Sequence, residues 1–157
     1  MVLVFLSLSL MFCTAEAATT CPDQWIAYQG SCYRFVHQNL TFYDAESYCR
    51  QHHGRLVHLE TARENGFVKE TISHMKEKEW WIGLTDDDIE GQWAWYGSDE
   101  SPLFTDWSSG QPNGGDEDCA QFFYLNDAWE WHDFRCNKAN GSPICEMETE
   151  APVNVIG

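Results

Sequence analysis

Cysteine content constrains this chain more than any other feature. Seven cysteines occur among its 157 residues. Cys13 lies in an apolar run, VLVFLSLSLMF, that small residues at Ala15 and Ala17 follow. This is the pattern of a cleavable secretory signal peptide over residues 1–17. The run is shorter than the ~20 apolar residues a membrane span requires. Cleavage leaves Cys21, Cys32, Cys49, Cys119, Cys136 and Cys145. An even set behind a signal peptide reads as a disulfide framework in a secreted, extracellular protein. These cysteines can pair in many ways, and spacing alone does not select one. No CxxC pair occurs, which argues against a zinc ribbon or a thioredoxin-like site.

The remaining length suits one domain, over residues 18–147, followed by a loose tail over 148–157 that lacks a core pattern. No internal repeat is visible. Cleavage removes one of the 25 acidic residues, Glu16, and none of the 9 basic ones, so the mature chain is one unit less negative than −16. Such a chain repels phosphate backbones, which excludes nucleic acid as a natural partner. It attracts divalent cations. No later stretch is long and apolar enough for membrane insertion.

Local patterns place the elements. Cys21 to Cys32, with Trp25, Tyr28 and a Gly30-Ser31 turn, reads as a hairpin. Thr41 with Asp44 resembles a capping box opening a helix whose apolar face is Phe42, Ala45, Tyr48 and Cys49, with Gly54 as its C-cap. Thr61 with Glu64 opens a second helix carrying Phe67, Val68, Ile72 and Met75, and Lys76–Glu79 forms its solvated end. Trp81–Leu84 reads as a buried strand, as do 120–125 and 141–147. Residues 85–118 are rich in Gly, Pro, Ser and Asp. Trp93, Trp95, Tyr96, Phe104 and Trp107 would be costly to leave in water, so this stretch reads as a long ordered loop region.

Oxygen-bearing side chains gather in three clusters. They are Asp86-Asp87-Asp88 with Glu90, Gln111-Pro112-Asn113 with Asp116-Glu117-Asp118, and His132-Asp133 close before Cys136. Calcium takes six to eight oxygen ligands at ~2.3–2.6 Å. A cis bond before Pro112 would turn the Gln111 and Asn113 side chains to one side at modest cost. No nucleophile–base pair or acid–base dyad follows from the spacings, so the chain does not read as an enzyme. His52, His53 and His58 do not form a zinc set, and Trp81, Trp93, Trp95 and Trp107 read as core.

Several segments together resemble the C-type lectin domain family in its long, secreted form, with perlucin-like invertebrate lectins among the closest in pattern. They are Trp81-Ile82-Gly83-Leu84, Glu90-Gly91-Gln92-Trp93-Ala94-Trp95, Trp107 before Gly110-Gln111-Pro112-Asn113, Glu117-Asp118-Cys119 and Trp131-x-Asp133-x-x-Cys136. The resemblance implies an α+β fold with two helices, two small antiparallel sheets and a long calcium-binding loop region. It implies disulfides Cys21–Cys32, Cys49–Cys145 and Cys119–Cys136. It also implies a sugar-site Ca2+ held by Gln111, Asn113, Glu117, His132 and Asp133, and an auxiliary site at Asp86, Glu90 and Asp118. Gln111, Asn113, Glu117 and Asp133 would bind the sugar.

Three departures qualify that transfer. His132 stands where the family has an asparagine, and imidazole nitrogen suits calcium poorly. Gln111-Pro112-Asn113 mixes the family's galactose-type and mannose-type motifs and brings no charge, so weaker calcium binding is expected and the sugar stays undecided. Gly114 stands where the auxiliary site often has a carboxylate. Trp129 or Trp131 offers a ring to a sugar face. The implied function is calcium-dependent carbohydrate binding to glycans or glycoproteins, of the kind used in innate immune recognition, with assembly into homo-oligomers left open. The alternatives are a protein-interaction module with a degenerate calcium site, or an acidic matrix protein of mineralised tissue. Asn39-Leu40-Thr41 is a glycosylation sequon, and Asn140-Gly141-Ser142 a weaker one because Pro143 follows.

Overall fold

The computed structural model describes residues 20–98 and 100–149, so the signal-peptide expectation and residues 150–157 lie outside it. In chain order the elements are β1 (Ile26–Tyr28), β2 (Ser31–Phe35), α1 (Phe42–Gln51), β3 (Arg55–Leu56), α2 (Ala62–Ser73), β4 (Glu79–Thr85), β5 (Ala94–Trp95), β6 (Cys119–Leu125), β7 (Ala128–Phe134) and β8 (Ser142–Glu148).

Both helices begin where their caps predict. The Thr41 hydroxyl accepts the Asp44 N–H at 3.2 Å and that of Thr61 accepts the Glu64 N–H at 3.1 Å, each satisfying a backbone donor the helix leaves open. At the end of α1 the expectation changes. The left-handed residue is His53, with φ 64°, not Gly54. Gly54 is small for another reason: a Cβ there would stand 2.6 Å from the Glu146 carbonyl oxygen and 2.9 Å from the Trp25 ring. α2 stops at Ser73, and Glu79, expected in its solvated end, instead opens β4.

The strands run β1-β2-β8-β4-β6-β7, with β3 beside β8 and β5 beside β4. Neighbours are antiparallel except β4 and β8, whose parallel pairing joins two antiparallel leaves into one mixed sheet. Trp80 and Trp81 are consecutive in β4 and so point to opposite faces. Trp80 enters the core formed with Val68, Ile72, Phe122, Trp131 and Ile144, and Trp81 enters the one beneath α1 with Phe42, Ala45 and Leu56. Both indoles are fully buried.

The three disulfides are those the resemblance implied. Cys49–Cys145 ties α1 to β8. Cys119–Cys136 joins the start of β6 to the segment after β7, and bridges of this kind typically contribute ~2–4 kcal/mol. β8 runs one residue past the expected domain boundary: Glu148 pairs with Ser31, and the Thr149 N–H donates to the Gly30 carbonyl.

Candidate functional site

The long loop is ordered by its aromatic residues. Trp95 is buried, Trp93 packs edge-on against Trp107 at 4.7 Å, and Phe104 and Trp107 both pack against Trp131. Backbone bonds add to this. The Trp131 N–H donates to the Asp106 carbonyl and the Ser108 N–H to the Trp131 carbonyl, which covers the otherwise open edge of β7. Asn65, buried in α2, receives the Trp131 indole N–H at 3.0 Å and donates to Asp106 at 2.8 Å. Sequence reasoning did not single out Asn65. Trp129 and Trp131, expected to offer a ring to a ligand, are both buried.

This anchoring lays residues 106–114 along β7. The Gln111–Pro112 bond is cis, the geometry that would turn the two flanking amides to one side. Asp133 reaches across from β7, and its Oδ2 accepts the backbone N–H groups of Asn113 at 2.8 Å and Gly114 at 2.7 Å. The Asn113 side chain and the Asp133 carboxylate both lie close enough to Glu117 to act on its carboxyl. Burial, and then Asp133, push the Glu117 carboxyl above its ordinary range. Gln111, Asn113, Glu117 and Asp133 are therefore positioned by one loop and one strand.

Two oxygens in this group have no partner. Gln111 Oε1 and Asp133 Oδ1 are both buried without a hydrogen-bond donor. Both atoms are acceptors only, so a cation satisfies them and a neighbouring carbonyl does not. The same holds for Asp86 Oδ1 at the expected auxiliary position. Asp86 is buried, its Oδ2 accepts the Gly91 N–H at 2.7 Å, and its backbone N–H donates to the Asp118 carbonyl. Burial raises the carboxyls of both Asp86 and Asp118, and Glu90 adds to each. Glu90 Oε1 also lies where a Gly114 side chain would stand, 2.9 Å from an added Cβ.

Among the described residues no three His, Cys, Asp or Glu side chains converge as a metal cluster. The principal group matches that: two carboxylates, with the remaining oxygens from neutral amides. His132 does not join it. Its ring packs against Phe123 and Phe134.

Among the described residues no helix is long and apolar enough to cross a membrane. A family model described as "Lectin C-type domain" matches residues 38–147. A perlucin-like protein of Mytilus galloprovincialis is 32% identical over 136 residues, covering 85% of each chain. The crystal structure of the cow C-type carbohydrate-recognition domain of CD23, in the presence of GlcNAc2Man3 oligosaccharide, is 30% identical with a TM-score of 0.72, and the match covers 84% of this chain and 98% of that one. A herring type II antifreeze protein is 29% identical with a TM-score of 0.74, over 83% of this chain and all of that one. Against several longer curated relatives the chain spans less than half their length, 44%, 32% and 46% in three cases.

Proposed function

Because the chain belongs to the C-type lectin domain family, we propose that it is a secreted, calcium-dependent carbohydrate-binding protein whose sugar site is Gln111, Asn113, Glu117 and Asp133. One observation carries the reading: the buried, unpartnered oxygens Gln111 Oε1 and Asp133 Oδ1 belong to the same loop–strand junction. That donor set is all oxygen, as calcium requires. When bound, calcium supplies a Lewis-acidic centre for two neighbouring hydroxyls of a sugar.

The chain's own residues do the rest. Asp133 fixes the loop through the Asn113 and Gly114 amides and keeps one oxygen for the ion. Asn113 and Glu117 stand close to each other, and both are able to bond sugar hydroxyls. The neutral Gln111 and Asn113 pair leaves the choice between mannose-type and galactose-type sugars open. The CD23 domain crystallised with an oligosaccharide supports a glycan as the partner. A role in innate immune recognition is part of this reading.

A second reading, a protein-interaction module on the same fold, is favoured by one observation: His132 packs into aromatic side chains and leaves the ion one ligand short. Glycan-array binding with and without a calcium chelator decides between them. Chelator-sensitive glycan binding is expected. Binding that survives chelation, or no glycan binding at all, rejects the lectin reading.

A further inference from the structure

Arg135 directly follows β7 and precedes Cys136, whose disulfide partner Cys119 is the first residue of β6. Asp116 stands three residues before Cys119 and next to Glu117. The bridge therefore brings these two segments together, and Arg135 Nη2 lies 2.8 Å from Asp116 Oδ2. Arg135, Lys138 and Asp116 line one groove with Asp87 and Asp118, so the pair adjoins both the principal and the auxiliary group. Of the two cations in that groove, Arg135 makes the ion pair.

The pair does little for the fold. Its side chains are 50% and 69% exposed, and an ion pair this open to water contributes little to stability. Its charges matter more to the neighbouring carboxylates. Burial and Asp133 raise the Glu117 carboxyl, Arg135 draws it down, and Asp116 raises it. A calcium ion beside Glu117 and Asp133 meets the same two charges: Asp116 attracts it and Arg135 repels it.

We propose that Arg135 is a built-in counter-cation of the calcium site, opposing the ion through charge and, with Asp116 as its partner, setting the chain's affinity for calcium. The inference rests on the calcium reading above. Arg135 contacts neither ion nor sugar, so its role differs from that of the ligands. It also differs from a brace. If the pair only held the loop in place, loss of either side chain would loosen the segment carrying Glu117 and weaken binding. A counter-cation and its partner instead give changes of opposite sign.

Calcium titration calorimetry of the whole chain at low salt tests this. Arg135→Gln is expected to bind calcium about threefold tighter than the wild type, and Asp116→Asn about threefold weaker, the order for one unit charge near a divalent ion in water. The double variant, and Arg135→Lys alone, are expected to return to the wild-type value. The differences are expected to vanish in ~1 M salt, where the Debye length falls to ~3 Å. Calcium-free urea unfolding is expected to be close to wild type in every variant, which shows that the fold is intact. Weaker binding in both single variants, wild-type affinity in Arg135→Gln, or a gain in Arg135→Gln that persists in ~1 M salt overturns the inference and leaves the calcium reading standing. Absence of calcium binding in both the wild type and Arg135→Gln overturns both.

Discussion

Asp133 Oδ2 holds the backbone N–H of Asn113 at 2.8 Å while Asp133 Oδ1, on the same carboxylate, is buried without a partner. One side chain thus organises the loop and keeps an unpartnered oxygen, which the proposed function assigns to calcium. The two roles separate under mutation. Asp133→Ala removes two charge-assisted bonds to backbone amides, each typically ~1.5–3 kcal/mol, together with one of the two carboxylates of the proposed calcium site. The expected result is a loss of about 3 kcal/mol in calcium-free urea unfolding, and loss of the additional stabilisation that millimolar calcium gives the wild-type protein. Unfolding curves with and without calcium read both. A calcium-induced shift of wild-type size in Asp133→Ala would place the ion elsewhere.

His132→Asn is expected to strengthen calcium binding. Only Glu117 and Asp133 carry charge in the principal group, and His132 packs on Phe123 and Phe134 rather than facing it. An asparagine in that position replaces nitrogen with the oxygen calcium prefers. By calorimetry the wild type is expected to bind more weakly than micromolar, and the variant about tenfold tighter, the order seen for a single ligand-shell change. Submicromolar affinity in the wild type, or no gain in the variant, contradicts the transfer of the family's ligand set to this chain.

The parts of the fold that were legible share a physical basis. Caps at Thr41 and Thr61 and the aromatic anchors of the long loop are local signals, and each occurs where the sequence places it. The cis Gln111–Pro112 bond was open to the sequence only as a possibility, because a proline allows either isomer and the local residues do not choose between them. Long-range facts were not readable. Gly54 is required because β8 and Trp25 pass close by, which nothing near position 54 reveals. β7 was not legible because His132 is buried between buried Trp131 and Asp133, which breaks the in–out alternation that marks a strand. The Asn126-Asp127 turn, with φ of 51° and 62°, was the signal for the β6–β7 hairpin. The packing of the His132 ring beside Phe123 and Phe134 follows from that missed strand.

Acid is expected to weaken the wild-type protein through His58. Burial, with Arg55 and Arg50 nearby, lowers this histidine from 6.5 to about 3. The ring stacks on Trp95 at 4.8 Å. Unfolding restores the ordinary value, so below 6.5 the unfolded chain takes up a proton that the folded chain refuses. Stability is therefore lost as pH falls from 6.5 toward 3, by up to ~1.4 kcal/mol per pH unit. Glu146 and Glu64 act in the opposite sense. Burial raises both, so the folded state binds their protons first and gains stability as pH falls through the raised values. A comparison of wild type with His58→Leu cancels the carboxylates. Between neutral pH and about pH 4.5 the difference in calcium-free unfolding free energy is expected to move by about 2–3 kcal/mol in favour of the variant. A pH-independent difference would mean that His58 titrates normally in the folded state.

The two sequons are expected to behave differently. Asn39 is exposed, and its Oδ1 accepts the Ser142 hydroxyl at 3.3 Å, which leaves the amide nitrogen available for a glycan. Asn140 is half-buried, its side chain lies beside Glu79, and its Oδ1 is buried without a partner. A glycan there would pass through a groove that the two asparagines share with Lys76, Lys78 and Glu79. Pro143 following Ser142 further disfavours that sequon. Expression through a eukaryotic secretory pathway is expected to yield one glycan, released by a peptide-N-glycosidase. Asn39→Gln abolishes the mass shift and Asn140→Gln leaves it intact. Both asparagines lie by β4 and the Asn126-Asp127 end of the β6–β7 hairpin, whereas Asp133 and Glu117 lie at its other end. The Asn39 glycan should therefore leave chelator-sensitive sugar binding unchanged, and a gain or loss of binding on enzymatic removal would show that it reaches the site.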